Sequence, residues 1–101
     1  MHFTESKGKS DPPLILIHGA GGTHLHWPPE LRRLPDRRVL AVDLPGHGQS
    51  EGTSCPTVAD FAAAIVSLLD ALNIRQAIIG GHSMGGAIAQ TFALDYPDRA
   101  A

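Results

Sequence analysis

Ile78-Ile79-Gly80-Gly81-His82-Ser83-Met84-Gly85-Gly86-Ala87 is the stretch that decides the fold. Two β-branched apolar residues run into glycines, a serine follows, and two more glycines lead into Ala87-Ile88-Ala89. The pattern predicts a strand that ends in a sharp turn with a helix on its far side. Gly81, Ser83 and Gly85 fit G-x-S-x-G, in which the turn projects a serine hydroxyl away from the backbone. Glycines are needed there because side chains would clash between strand and helix and because the backbone is strained.

Working outward, Gln76-Ala77-Ile78-Ile79 is the strand entering the turn, and Met84 to Tyr96 is the helix leaving it, stopped before Pro97. Upstream, Val58, Phe61, Ala62, Ile65, Leu68, Leu69 and Leu72 recur at helical spacing. Thr57 caps that helix with Asp60 three positions on, and Asn73 suits its end. Two continuous apolar runs, Leu14-Ile15-Leu16-Ile17 and Val39-Leu40-Ala41-Val42, read as strands buried on both faces of a parallel sheet. A short helix, Glu30 to Leu34 and ended by Pro35, lies between them, and His2 to Ser6 can form a further short strand. Lys7 to Pro13 reads as a polar, turn-rich link. Strands alternating with helices argue for a parallel sheet with right-handed crossovers.

Composition bounds the alternatives. The 101 residues suit one domain or part of one, and 43% hydrophobic against 18% charged residues excludes a disordered chain. A net charge of −2 leaves no footprint for nucleic acid. A single cysteine, Cys55, allows no intrachain disulfide, and it reads as an idle thiol in a loop. No signal peptide and no apolar run of membrane-spanning length is present, so a cytoplasmic location is expected. Gly8-Lys9-Ser10 lacks the earlier glycine of a phosphate loop, Phe3 standing there instead. Gly19-x-Gly21 lacks the third glycine of a dinucleotide fingerprint, which is His24. No cofactor is expected, and no metal: His24 and His26 have no third ligand at a useful spacing and read as solvent or pocket-wall histidines.

The chemistry available is nucleophilic. A serine hydroxyl needs a base within reach and donors aimed at a developing oxyanion. Met84 begins a helix, where backbone N–H groups are unpaired, so its amide is the first donor. His18-Gly19-Ala20-Gly21-Gly22 follows the first long strand at the same sheet edge, and the Ala20 amide is the second donor, with Gly21 as the alternative. Gly19, Gly21 and Trp27 are assigned to substrate contact; for Trp27 and Leu25 an acyl-pocket wall competes with plain packing. His18 is expected to order the oxyanion loop, His82 to pack the turn, and Asp43 to anchor the loop that follows it; His47 lies in that loop.

Taken in order, His18-Gly19-Ala20-Gly21-Gly22, then Asp43-Leu44-Pro45-Gly46-His47-Gly48-Gln49-Ser50, then Gly81-His82-Ser83-Met84-Gly85-Gly86 resemble the α/β-hydrolase fold family in its esterase, thioesterase and C–C hydrolase branch. The resemblance covers about Leu14 to Arg99. It implies an α/β three-layer sandwich with a mostly parallel sheet, Ser83 as nucleophile, and Ala20 and Met84 as oxyanion-hole amides. It also implies a small-molecule acyl substrate, with ester cleavage through an acyl-serine intermediate. The family order is serine, acid, histidine. The 18 residues after Ser83 contain Asp95 and Asp98 but no histidine. Both aspartates stand roughly 18 Å or more from Ser83 at helical rise. Residues 1–101 are therefore expected to be the N-terminal part of a single hydrolase domain, stopping after the helix that follows Ser83 and inactive alone. The reading from another class is a non-catalytic remnant or ligand-binding module.

Overall fold

In the computed structural model, which describes residues 1–50 and 52–101, the chain passes through eight elements. They are β1 (Phe3–Glu5), β2 (Ser10–Ile17), a 3-10 turn (His24–His26), α1 (Pro29–Arg32), β3 (Arg37–Val42), α2 (Val58–Ala71), β4 (Ile78–Gly81) and α3 (Met84–Asp95). The strands form one sheet in the order β1-β3-β2-β4. β2 runs parallel to both β3 and β4, and only β1 is antiparallel, to β3.

Both apolar runs are buried, and successive side chains part to opposite faces. Ile15, Ile17, Leu40 and Val42 join Phe61, Ile65 and Leu69 of α2 and Ile88 and Phe92 of α3 in the main core. Leu16, Val39 and Ala41 face the other way, under Trp27, Leu31 and Leu34. Helical layers therefore cover both faces, which is the three-layer arrangement expected. The α2 cap is as expected: the Asp60 amide donates to Thr57 Oγ1 at 3.1 Å, and that hydroxyl donates to Asp60 Oδ2 at 2.8 Å. Asn73 just beyond α2 has φ 57, a left-handed conformation that asparagine tolerates better than most residues.

Several boundaries differ from the sequence expectation, β3 among them, which begins at Arg37 rather than Val39. β2 begins at Ser10, inside the supposed link, because the Lys9 and Ser10 amides both donate to the Asp36 carbonyl and draw the segment to β3. Pro12 and Pro13 have no N–H for the ladder, and the pairing slips between Ser10 and Leu14. α1 starts at Pro29, at the proline pair where a helix can begin, but ends at Arg32 rather than Leu34, with Pro28 as N-cap and the Arg33 amide closing on the Pro29 carbonyl. β4 continues through Gly80 and Gly81, which stay in register with Leu16 and Ile17. On the outer side of β4, Ala77 bridges to Ala100, while Ile78 and Ile79 pair only with β2 among the described residues. Among the described residues, no helix is long and apolar enough to cross a membrane.

Candidate active site

The carboxyl ends of β2, β3 and β4 lie side by side, and the candidate residues sit in the turns that leave them. Ser83 joins β4 to α3 with φ 57 and ψ −118, a conformation that L-residues rarely adopt. Two glycines make this turn possible. A Cβ on Gly81 would overlap the Gly85 carbonyl, and one on Gly85 would overlap the Ile17 carbonyl, both well inside 3.0 Å. β4, the start of α3 and the end of β2 thus touch backbone to backbone. The His82 amide donates to Ile17 O at 3.2 Å, and the Gly85 amide to His82 O at 2.9 Å. Ser83 is exposed, and its hydroxyl makes no hydrogen bond among the described residues. Met84 is the first residue of α3, so its amide has no partner one turn back within the helix.

Gly19 lies against this turn: a Cβ built on it would stand 3.3 Å from Ser83 Cβ and 3.4 Å from the His82 carbonyl oxygen. The Gly22 amide donates to Gly19 O at 3.0 Å, closing a turn with Ala20 and Gly21 at its crown. Gly21 has φ 73, as the third position of a type II turn requires. His18 Nδ1 also donates to Gly19 O, at 2.7 Å. A peptide group is planar, with its carbonyl and N–H pointing opposite ways. Fixing the Gly19 carbonyl by two donors therefore fixes the Ala20 N–H, which points away from both. His18 is fully buried, and its Nε2 accepts from the Leu44 amide at 3.0 Å. The two bonds define a neutral ring with its proton on Nδ1. Burial is the main cause that holds the His18 pKa below its ordinary value, against the opposing bond to Gly19.

Asp43 ends β3 and is buried, as an anchor for its own loop must be, but its reach is wider than expected. Its carboxylate accepts from the Gln49 amide at 3.0 Å, the His24 amide at 2.6 Å, His24 Nδ1 at 2.9 Å and His2 Nδ1 at 2.8 Å. Burial pushes the Asp43 pKa up, but the bonds from Gln49, His24 and His2 outweigh it and hold the group at about 2. Ser50 Oγ donates to the Asp43 carbonyl and accepts from the His2 amide. Gly48, at φ 51, passes so close that a Cβ would strike the carboxylate. One side chain thus ties the chain's start, the turn after β2 and the loop after β3 together. His24 is therefore not the solvent or pocket-wall residue expected. It is buried because a carboxylate taken out of water needs donors to offset its desolvation.

His26 is exposed and stacks on His82, with ring centroids 4.7 Å apart and planes tilted by 31°. Trp27 meets His26 edge-on at 5.0 Å and packs into the second core. Its Nε1 is buried without a hydrogen-bond partner among the described residues. Leu25 is 66% exposed, free of any packing role. His47 lies over His18, centroids 5.1 Å apart, with Nδ1 against Pro45 O at 3.1 Å. Asp95 ends α3, far from Ser83 along the helix. A surface depression lined by Lys7, Lys9, Arg33 and Asp36 lies at the opposite sheet end and holds none of these groups. Sequence reasoning missed the joint role of His2 and His24, partners of one carboxylate from positions 41 and 19 residues away.

Comparison with known proteins bears on this geometry. Residues 12–101 match a family model described as alpha/beta hydrolase fold. The chain is 38% identical over 105 residues to a dihydrolipoyllysine-residue acetyltransferase component of an acetoin cleaving system from Pseudomonas putida, covering 100% of this chain and 28% of that protein. It is 35% identical over 106 residues to a 2-hydroxy-6-oxononadienedioate/2-hydroxy-6-oxononatrienedioate hydrolase from Burkholderia vietnamiensis, covering 98% of this chain and 36% of that one. Among solved structures, a marine microorganism esterase superposes with a TM-score of 0.87 at 31% identity, over 98% of this chain and 38% of the esterase. The 101 residues thus span about a third of the length of the proteins they match.

Proposed function

This chain belongs to the α/β-hydrolase fold family, and we propose that it carries the nucleophile and the oxyanion hole of a serine hydrolase acting on a carboxylic ester or related acyl bond. The observation that carries the proposal is Ser83 itself. It sits at φ 57 on a turn that only glycines at positions 81 and 85 permit, exposed, with no structural bond for its hydroxyl among the described residues. Strain held at a residue with no packing duty is a mark of function.

In the proposed reaction Ser83 Oγ attacks the acyl carbon and passes its proton to a base. The carbonyl oxygen takes the charge and is held by the Met84 and Ala20 amides. The alcohol or enol leaves with a proton, and water then releases the acid from the acyl-serine. His18 acts on this reaction only through Gly19, by fixing the peptide that presents the Ala20 N–H. Each oxyanion donor contributes about 2.7–4 kcal/mol to transition-state stabilisation. Gly19, against Ser83, Gly21, open at the turn's crown, and Trp27 form the substrate wall. We assign the base and its acid partner to residues outside 1–101. His18, His24 and His2 are committed to other bonds, and no ring bonds to Ser83 Oγ among the described residues. The esterase and hydrolase names of the similar proteins support a small-molecule acyl substrate.

The test is fluorophosphonate labelling of the complete hydrolase. Wild type should be labelled and Ser83→Ala should not. Labelling that persists in Ser83→Ala would overturn the assignment. No labelling of wild type, with ligand binding that survives Ser83→Ala, would instead support a non-catalytic binding module. Residues 1–101 alone should hydrolyse p-nitrophenyl acetate little or not at all, since a site lacking a triad member retains at most roughly 10³–10⁴-fold over water.

A further inference from the structure

All six histidines stand near the carboxyl edge of the sheet, in three ring pairs: His2 with His24 at 5.2 Å, His18 with His47 at 5.1 Å, and His26 with His82 at 4.7 Å. The first two pairs are engaged. His2 and His24 donate to Asp43, His18 uses both nitrogens, and His47 Nδ1 is held at Pro45. The third pair differs: both residues are exposed, and among the described residues their ring nitrogens make no hydrogen bond. The surrounding charge also differs from that of the rest of the molecule. Residues 18–28, 43–50, 52–57 and 82–83, the described loops of this edge, contain no lysine or arginine. The fixed cations lie in segments that feed the strands' amino ends, such as Lys7 and Lys9 before β2 and Arg75 before β4. Arg32, on α1, is turned to the Trp27 carbonyl.

We propose that His26 and His82 form a two-imidazole site for a borderline divalent ion, zinc above all, at the rim of Ser83. Unprotonated imidazole is a favoured ligand for such ions. With Zn–N bonds of about 2.1 Å and tetrahedral angles, two coordinating nitrogens stand roughly 3.4 Å apart. Rings with centroids 4.7 Å apart meet that spacing by turning about their side-chain torsions, which exposure permits. The absence of lysine and arginine from these loops removes the repulsion a dication would otherwise meet. Trp27 closes one side of the pair and leaves the other to water, which completes the coordination. His82 directly precedes Ser83, so an ion held there obstructs the serine hydroxyl. That consequence rests on the reading of Ser83 as nucleophile, whereas the site itself does not.

A second cluster, His2, His24 and Asp43, brings its ligand atoms within 4.8 Å of one another. It is the weaker candidate. Two backbone amides already bind that carboxylate, and both rings reach it through their Nδ1 protons. A metal there would have to displace two ring bonds that hold a buried charge.

The experiment is calorimetric titration of the complete, tag-free hydrolase with zinc chloride at pH 7.5, alongside His26→Gln, His82→Gln and His2→Gln, each checked for folding by its circular dichroism spectrum. The expected result is one ion per chain. Affinity should fall roughly tenfold or more in each of the first two variants, where a two-point attachment becomes single. It should be unchanged in His2→Gln. No zinc binding by the folded chain, or binding lost in His2→Gln but kept in the other two, overturns the proposal. In the complete hydrolase, zinc should slow fluorophosphonate labelling of wild type more than of His26→Gln. Absence of labelling without zinc would refute the nucleophile and leave the titration to decide the metal site.

Discussion

Replacing Ser83 by glycine should make this protein more stable. The serine is held at φ 57 and ψ −118, where its Cβ crowds the backbone. A residue kept in such a sparsely populated region stores roughly 1–3 kcal/mol. Glycine adopts the same angles without a Cβ to clash. Against this, glycine loosens the unfolded chain by about 0.4–1 kcal/mol. No hydrogen bond of the hydroxyl offsets the gain among the described residues, and the side chain is exposed. The difference leaves Ser83→Gly more stable by roughly 1 kcal/mol, which raises Tm by about 4 °C in a domain of this size. Ser83→Ala is the control. It keeps the Cβ and therefore the strain, and should fall within about 0.5 kcal/mol of wild type. Urea denaturation followed by far-ultraviolet circular dichroism, with unchanged m-values, reads both. If Ser83→Gly unfolds at the same urea concentration as Ser83→Ala, or a lower one, the turn is not strained and the reasoning fails.

Other substitutions test the surrounding frame. Gly85→Ala drives a methyl into the Ile17 carbonyl, where only backbone can give way, and should cost more than about 3 kcal/mol; a chain without cooperative thermal unfolding would be the sign. Asp43, held at about 2 in the folded protein, lends stability that is fully present above its ordinary value and lost as pH falls through about 2. That contribution is at most about 2 kcal/mol. Asp43→Asn should flatten the stability profile between about pH 4 and pH 2, and an unchanged acid limb would contradict the hydrogen-bond account. His18 has the opposite chemistry: its folded-state pKa is lowered, so protonation favours the unfolded chain. Its contribution should be complete above the ordinary histidine range and decline as pH falls through it. In His18→Gln that slope in melting temperature should diminish.

The core was legible in the sequence because its signals are local. Leu14 to Ile17 and Val39 to Val42 are unbroken apolar runs, and a strand buried on both faces has no other appearance. The α2 stripe and the Thr57 cap likewise lie within one segment. Ser83 was legible because the glycines that make its turn possible are its near neighbours. What could not be read depends on distance along the chain. Nothing near Asp43 announces that its donors are His2 and His24, and His26 meets His82 from 56 positions away along the chain. The start of β2 was hidden for another reason. Pro12 and Pro13 argue against a strand, yet the amides that fix its first residue belong to Lys9 and Ser10 and reach across to Asp36.

The contacts at Gly81 and Gly85 also bear on descent. Both glycines answer to backbone atoms, Gly81 to the Gly85 carbonyl and Gly85 to the Ile17 carbonyl, and neither answers to substrate. Selection for folding alone would keep them in any descendant, including one that had abandoned the reaction. If Ser83→Gly proves the more stable, position 83 is under the reverse pressure. In lineages that lose the chemistry, the glycines should persist while position 83 drifts. On the proposed reading of Ser83 as nucleophile, retention of a serine at that strained position is the part of the motif that records continuing use.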